Sequence, residues 1–129
     1  MSHPNEDVVR RAYAAHDSRD LETLRSLFAP DVKWHSPGRH RLAGDHHGPD
    51  AVVGFLAGLQ EMTGGTLRIE IHDVLANDEH VVVLAHLHGE RGGRSLHDNH
   101  AQVYHVRDGL ITEVWGHARD QHAIDELLS

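Results

Sequence analysis

The spacing of apolar residues switches from a helical to an extended period near residue 65, and this switch constrains the fold more than any other feature. Before it, apolar side chains recur at three- and four-residue intervals, as on one face of a helix. Beyond it, Leu67, Ile69 and Ile71 alternate with polar residues, as in a strand with one buried face. Helices followed by a series of strands predict the α+β class.

Three helices are predicted in the first half of the chain. The first is marked by the series Val8, Val9, Ala12, Tyr13 and His16. The second begins at residue 21, behind the capping residue Asp20, and Pro30 should end it. The third begins at Pro49, because the first turn of a helix tolerates proline, and a Gly-Gly pair at residues 64–65 stops it.

The remaining segments are predicted to be strands and one short helix. Residues 31–36 alternate as a short strand that Pro37-Gly38 stops, and residues 39–48 form a loop or a short irregular strand. Further strands are predicted from residue 67 to 72, and over residues 81–89, 95–106 and 110–118, with Asp108-Gly109 as a hairpin turn. A final helix over residues 123–128 is capped by Asp120. A curved sheet wrapped on helices leaves a cavity between the two layers.

Length and composition limit the classes of function. A chain of 129 residues supports one core, so residues 1–129 are expected to form a single domain. The sequence has no cysteine, which excludes disulfides, thiolate nucleophiles and iron–sulfur clusters. No segment approaches the roughly 20 apolar residues of a membrane span, and none resembles a signal peptide. We therefore expect a soluble, cytoplasmic protein with no membrane partner.

The charge of the chain argues against nucleic acid as a partner. A net charge of −8 with neutral histidines opposes binding to a phosphate backbone. Fifteen histidines are the one unusual feature, and their protonation would reverse the sign of the charge. We expect charge-dependent behaviour near pH 6, although most of these histidines are interpreted as solvated surface residues.

Five short motifs, in their order and spacing, resemble the nuclear transport factor 2 superfamily, in particular its SnoaL-like and ketosteroid-isomerase-like branch. The motifs are Val8-Val9-Arg10-Arg11-Ala12-Tyr13, Asp20-Leu21 leading to Leu27-Phe28-Ala29-Pro30-Asp31-Val32, Trp34-His35-Ser36-Pro37-Gly38, Gly48-Pro49-Asp50-Ala51-Val52, and Asp108-Gly109-Leu110-Ile111-Thr112-Glu113-Val114-Trp115. The resemblance covers nearly the whole chain. It implies a cone-shaped α+β barrel, ligands that enter its open end, and homodimers that pack through the outer face of the sheet.

The catalytic residues of two activities in this branch are not matched. The isomerase's tyrosine and its two acids fall on Ala12, Ser36 and Gln102, so the resemblance does not extend to steroid isomerisation. The epoxide-hydrolase residues fall on Trp34 and Ser36, on His80 and Val82, and on Gly116 or His117, again without the required carboxylates. His117 is a candidate acid or base only if an alignment gap lies before Trp115.

Alignment with the family places a polar stripe on the inward face of the penultimate strand. The stripe consists of Asp98, His100, Gln102 and Tyr104, which share a face because alternate strand residues do so. The hypothesis is that Asp98 orients His100, whose second nitrogen then faces a ligand or acts as a base. The alternatives are that these polar residues simply pair with one another, or that the strand is reversed. Reversal would turn inward His97, Asn99, Ala101, Val103 and His105.

Several single residues are further candidates for the ligand site. Trp34 is either a flat apolar wall for a ligand or a plain core residue, and Ser36 shares its inward face. His86 is a weak candidate, because the face of its strand is left open. His16, four residues after Ala12, either lines the mouth of the cavity or is half exposed on the first helix.

Metal ligands are dense in two segments, Asp45-His46-His47 and His97-Asp98-Asn99-His100. Neither has a known ligand spacing, so we predict no metal site and no cofactor.

Three classes of function remain. The first is a SnoaL-like pocket protein that binds, and in one form isomerises, cyclises or hydrates, a small, partly apolar organic molecule. The second is a non-catalytic dimerisation or accessory module. The third is a metal-dependent lyase or hydrolase with histidine ligands.

Overall fold

A computed structural model describes residues 3–129 of the chain. Its four helices are α1 (Pro4–Asp17), α2 (Leu21–Ser26), α3 (Pro49–Met62) and α4 (Gln121–Leu127). Side chains cap three of them: Asp20 accepts a hydrogen bond from Thr23 N, Asp120 accepts one from Ala123 N, and His3 accepts one from Asn5 N. The predicted caps at Asp20 and Asp120 are therefore confirmed.

Six strands form one curved sheet in the order β2-β1-β6-β5-β4-β3. They are β1 (Phe28–Ser36), β2 (Gly44–His47), β3 (Arg68–Ala76), β4 (His80–Arg91), β5 (Arg94–Arg107) and β6 (Leu110–Ala118). The β1–β6 pair is parallel, and all other pairs are antiparallel. The sheet therefore has the mainly antiparallel pairing that the alternation of residues predicted.

The prediction that Pro30 ends the second helix is wrong. The helix ends at Ser26, and Pro30 lies in β1. The carbonyl of Leu27 already accepts a hydrogen bond from Ile111 N at 2.8 Å, so the chain joins the sheet before the proline. Pro30 has no N–H to donate, and it lies where the register of β1 against β6 shifts between Phe28 and Lys33.

The core lies between the inner face of the sheet and the helices. Fully buried valines come from α1, α3 and three strands, and they are Val9, Val32, Val52, Val81, Val83 and Val114. Within residues 3–129, no helix has the length and apolar character needed to cross a membrane.

Strand pairing decides which residues face outward. In β4, Val81, Val83 and Ala85 are buried, so His86 and His88 lie on the outer face. The reversed arrangement of β5 is wrong for the same reason, because Tyr104 and Asp98 are buried while His97 and Asn99 are exposed.

A row of apolar side chains crosses the outer face. Leu75 lies opposite Val82, Val82 opposite Val103, and Val103 opposite Trp115. We call these four residues the outer apolar row. Leu75 is 53% exposed, and the other three are half-buried.

Candidate functional site

A cavity of about 150 Å³ lies between the inner face of the sheet and helices α1, α3 and α4. Most of its wall is apolar, with Phe28, Trp34 and Phe55 as the aromatic part. Three α4 residues lie on its wall, Gln121, Ile124 and Leu127, together with Leu128, the C-cap residue just after the helix. The short C-terminal helix therefore closes one side of the cavity.

Two tyrosines meet in the cavity wall. The Tyr104 hydroxyl on β5 donates a hydrogen bond of 2.7 Å to the Tyr13 hydroxyl on α1, and the two rings meet edge to face. Burial raises the pKa of Tyr13 and of Tyr104 well above the usual range, so both remain phenols at neutral pH. Since Tyr13 accepts this bond, its own proton is available to another acceptor. Sequence reasoning assigned Tyr13 only to the apolar face of a helix.

His100 lies in the cavity wall between two small residues. It pairs with Ala85 on β4 and with Ala118 on β6, so its imidazole has room above the sheet. Burial lowers the pKa of His100, and the nearby Asp98 opposes that shift. The imidazole is therefore neutral at pH 7, with one nitrogen able to accept a proton and the other able to donate one.

Asp98 does not orient His100, contrary to the sequence hypothesis. Its side chain is fully buried, and its two oxygens accept hydrogen bonds from the backbone N–H groups of Arg119 and Asp120, both at 3.2 Å. These groups form the turn between β6 and α4. The physical reason is that a buried carboxylate needs hydrogen-bond donors, and here two backbone amides supply them.

Gln102 faces the cavity opposite a glycine. It pairs with Gly116 on β6, and a Cβ atom at Gly116 would meet the Gln102 side chain. The missing side chain at Gly116 therefore makes space for the amide of Gln102.

Two buried histidines border the cavity from other elements. His16 on α1 lines the cavity and is only 9% exposed, so half exposure does not describe it. Burial, and then the charge of Arg19, lowers its pKa, and its Nε2 is buried with no hydrogen-bond partner among the described residues. His40, in the loop before β2, was not predicted. Burial lowers its pKa, and its Nδ1 accepts a hydrogen bond from Leu42 N, so the neutral ring carries its proton on Nε2.

Ala12, Trp34 and Ser36 line the cavity at the predicted positions. Trp34 is 7% exposed and packs against Phe28, Phe55 and Tyr104 with ring centroids 5.8–6.3 Å apart. It therefore belongs to both the core and the cavity wall, which were separate interpretations.

The predictions for His86 and His117 are wrong in their placement. His86 lies on the outer face of the sheet, where its Nδ1 is 2.6 Å from Asn99 Oδ1. His117 is exposed and pairs with Ala101, so its side chain also points outward, although its position in β6 borders the cavity. In each strand, a shift of the register by one residue moves the histidine from the inner to the outer face of the sheet.

His35 also borders the cavity, but its imidazole is bound on the outer face. Its Nδ1 lies 2.7 Å from Asp45 Oδ1, and its Nε2 lies 2.6 Å from Glu113 Oε2. The hydrogen bond to Asp45, and then that to Glu113, raises the pKa of His35. This positive charge is held away from the cavity.

The cavity wall carries no formal charge. Among the described residues that line it, there is no Asp, Glu, Lys or Arg. The tyrosines are protonated, and the three histidines that face the cavity have lowered pKa values. Across residues 3–129, no three His, Asp or Glu side chains form a group that could hold a metal ion.

Known proteins match the chain in sequence and in fold. The family model described as SnoaL-like domain matches residues 9–114. Uncharacterized protein Rv0034 of Mycobacterium tuberculosis is 38% identical over 109 residues, which are 84% of this chain and 83% of that protein. Bal32a, from a soil-derived mobile gene cassette, is 35% identical with a TM-score of 0.93, over 98% of this chain and 97% of that one.

A third similar protein has been solved with an organic molecule. TerC, co-crystallised with polyporic acid, is 26% identical with a TM-score of 0.86, and the match covers 98% of each chain. Structures with the nuclear transport factor 2-like fold are also similar, such as one from Burkholderia xenovorans with a TM-score of 0.86, 24% identity, and coverage of 100% of this chain and 98% of that one. These similarities confirm the predicted family resemblance and the cone-shaped α+β fold.

Proposed function

Because the chain belongs to the family of SnoaL-like domains, we propose that it holds a small, partly apolar organic molecule in the cavity beneath its sheet. The observation that carries this proposal is the cavity wall, which is mainly apolar and has a few polar side chains in fixed positions. Small-molecule sites have this composition, because apolar surface supplies affinity and a few polar groups set orientation. The similar protein TerC, which was crystallised with polyporic acid, supports the same use of the fold.

We further propose that His100 transfers a proton to or from the bound molecule, in an isomerisation, cyclisation or hydration. A neutral imidazole at pH 7 is suited to general acid–base chemistry. Steroid isomerisation is not proposed, because Ala12 and Gln102 stand at the positions that align with a tyrosine and an acid of the steroid isomerases.

The His100→Gln variant is expected to lose proton transfer and to retain binding. Exchange of the α-protons of cyclohexanone in D₂O, followed by NMR, measures abstraction and return of a proton at one carbon. General-base catalysis contributes about 10²–10⁴-fold, so the exchange rate should fall by at least about 100-fold. Binding, measured by NMR titration, should change by less than about threefold, because the cavity keeps its size.

The matched control for this experiment is His86→Gln, which removes an imidazole from the outer face. It should exchange as the wild type does. Exchange that persists in His100→Gln contradicts the role of His100. Binding without exchange in the wild type favours the second class, a non-catalytic accessory module.

We also propose that two copies pack through the outer face of the sheet. The outer apolar row spans four strands without interruption, and Leu75 at its end is largely exposed in the single chain. A second copy related by a two-fold axis presents the same row, so apolar surface meets apolar surface. Charged and imidazole side chains, such as Glu113 and His105, border the row, as in the polar rim of an interface.

The Trp115→Glu variant is expected to be a monomer under conditions in which the wild type is a dimer. A carboxylate in the middle of a closed apolar interface loses its hydration without gaining a partner. Sedimentation velocity at micromolar concentration measures the change. The control Ala57→Glu adds the same charge at an exposed position of α3 and should leave the dimer intact. A monomeric wild type contradicts the proposal.

The histidines of the outer face provide a second measurement of the same dimer. The rings of His80 and His105 meet edge to face with centroids 4.6 Å apart, and those of His88 and His97 stack with centroids 4.5 Å apart. A fall from pH 7.5 to pH 5 adds positive charge to the histidine-rich chain of both partners, so the dimer should be weaker at pH 5 than at pH 7.5.

A further inference from the structure

We infer that the ligand is an uncharged molecule of about one six-membered ring, whose oxygen accepts a hydrogen bond from the Tyr13 hydroxyl. This inference rests on the proposed ligand-holding function and names its class of ligand and its anchor. The observations that carry it are an unused donor, an uncharged wall and a small volume.

The unused donor is the hydroxyl proton of Tyr13. Tyr13 accepts the hydrogen bond of Tyr104 at 2.7 Å, and no second partner of its hydroxyl is found among the described residues. A phenol that accepts one hydrogen bond becomes a better donor of the next, because bonds in a chain polarise one another. The partner that fits is an oxygen acceptor, such as a ketone, an aldehyde or a lactone carbonyl.

The same wall of α1 holds more unused hydrogen-bonding capacity. One helical turn beyond Tyr13, His16 Nε2 is buried and has no partner in the described part of the chain. An unpaired buried polar atom destabilises the folded protein, and a polar ligand atom can offset this cost whereas a pure hydrocarbon cannot.

The uncharged wall excludes charged ligands. A carboxylate or an ammonium group that enters an apolar cavity loses its hydration and needs an opposite charge there. The wall supplies none among the described residues, since the imidazolium of His35 is bound to Asp45 and Glu113 on the outer face. A neutral molecule bears no such cost.

The volume limits the size of the ligand. The cavity measures about 150 Å³, and an apolar protein cavity of about this volume binds benzene. The aromatic wall of Phe28, Trp34 and Phe55 suits the flat or chair-shaped face of a single ring. Molecules of several fused rings would extend beyond this space toward its open side.

The test compares four ligands that share one six-membered ring by NMR titration at pH 7. They are cyclohexanone, methylcyclohexane, cyclohexanecarboxylate and cyclohexylamine, which is protonated at this pH. We expect cyclohexanone to bind at least tenfold more tightly than the two ions. In Tyr13→Phe, cyclohexanone should bind about tenfold more weakly, while methylcyclohexane should be unchanged, because only the ketone uses the lost donor.

The matched control is Tyr104→Phe, which leaves the Tyr13 hydroxyl in place and removes the bond that Tyr104 donates to it. It should weaken cyclohexanone less than Tyr13→Phe does. Binding of the four ligands to the wild type tests whether charged ligands are excluded, even if a tyrosine variant does not fold.

The outcomes distinguish a failure of this inference from a failure of the proposed ligand-holding function. Failure of all four ligands to bind the wild type contradicts the ligand-holding function itself. Equal binding of the ions and the ketone leaves that function standing and overturns the inference. Equal weakening of cyclohexanone and methylcyclohexane in Tyr13→Phe also overturns it, because Tyr13 would then act by packing alone.

Discussion

The Trp34→Ala variant is expected to lower the free energy of unfolding by about 3–5 kcal/mol, the usual cost of removing a large aromatic side chain from a core. Trp34 is 7% exposed and packs against Phe28, Phe55 and Tyr104. Domains of this size unfold with about 5–15 kcal/mol, so the loss is a large share of the total. Urea unfolding followed by circular dichroism measures it.

The position of Trp34 makes this prediction specific. Its three ring neighbours come from β1, α3 and β5, so one side chain joins both layers of the fold. The control Trp34→Phe keeps a ring in place and should lose less than half as much. A loss below about 1 kcal/mol in Trp34→Ala would show that the layers are held by other contacts.

Strands β5 and β6 were predictable because each has one buried face. Alternation over residues 95–106 predicted β5, which spans Arg94–Arg107, and over residues 110–118 it predicted β6 at the observed bounds. The inward position of His100, Gln102 and Tyr104 follows from the same alternation once one residue of the strand is assigned to a face.

The failed predictions have two physical causes. A strand reverses its faces when its register moves by one residue, and this uncertainty led to the wrong placement of His86 and His117. Loop geometry has no period, so nothing in the sequence indicated that His40 folds back into the cavity wall.

Hydrogen bonds that are distant in the sequence caused the misassignment of Asp98. Its backbone partners lie 21 and 22 residues further along the chain, and no spacing rule relates them. His100, two residues away on the same strand face, was the nearest visible partner. The alternation of residues along the strand therefore predicted that the carboxylate faces inward, but it did not predict the backbone groups that the carboxylate binds.

The Asp98→Ala variant is expected to lower the free energy of unfolding by about 2–4 kcal/mol. Hydrogen bonds to a charged group are worth about 1.5–3 kcal/mol each, and Asp98 accepts two of them. Arg119 N retains a second acceptor in Asn99 O at 3.0 Å. Asp120 N loses the acceptor that the carboxylate provides, so the turn into α4 should loosen first.

Hydrogen exchange measured by mass spectrometry would locate that loosening. The amides of α4 should exchange faster in Asp98→Ala, and those of β5 should change less. Because Gln121, Ile124 and Leu127 form part of the cavity wall, cyclohexanone should also bind more weakly. The Asp98→Asn variant keeps one acceptor oxygen and the shape of the side chain, so its losses should be intermediate.

A control at Arg119 separates the backbone bonds from the ion pair. The Arg119 guanidinium lies 3.5 Å from Asp98, but its side chain is 66% exposed, so Arg119→Ala should cost less than about 1 kcal/mol. Asp98→Ala could instead unfold like the wild type and lose only the proton exchange that depends on His100. That result would favour Asp98 as the residue that orients His100, and it would contradict its role in holding the turn into α4. The two readouts differ because a carboxylate that holds the turn into α4 affects stability and ligand binding, whereas a carboxylate that orients His100 affects proton transfer by the imidazole.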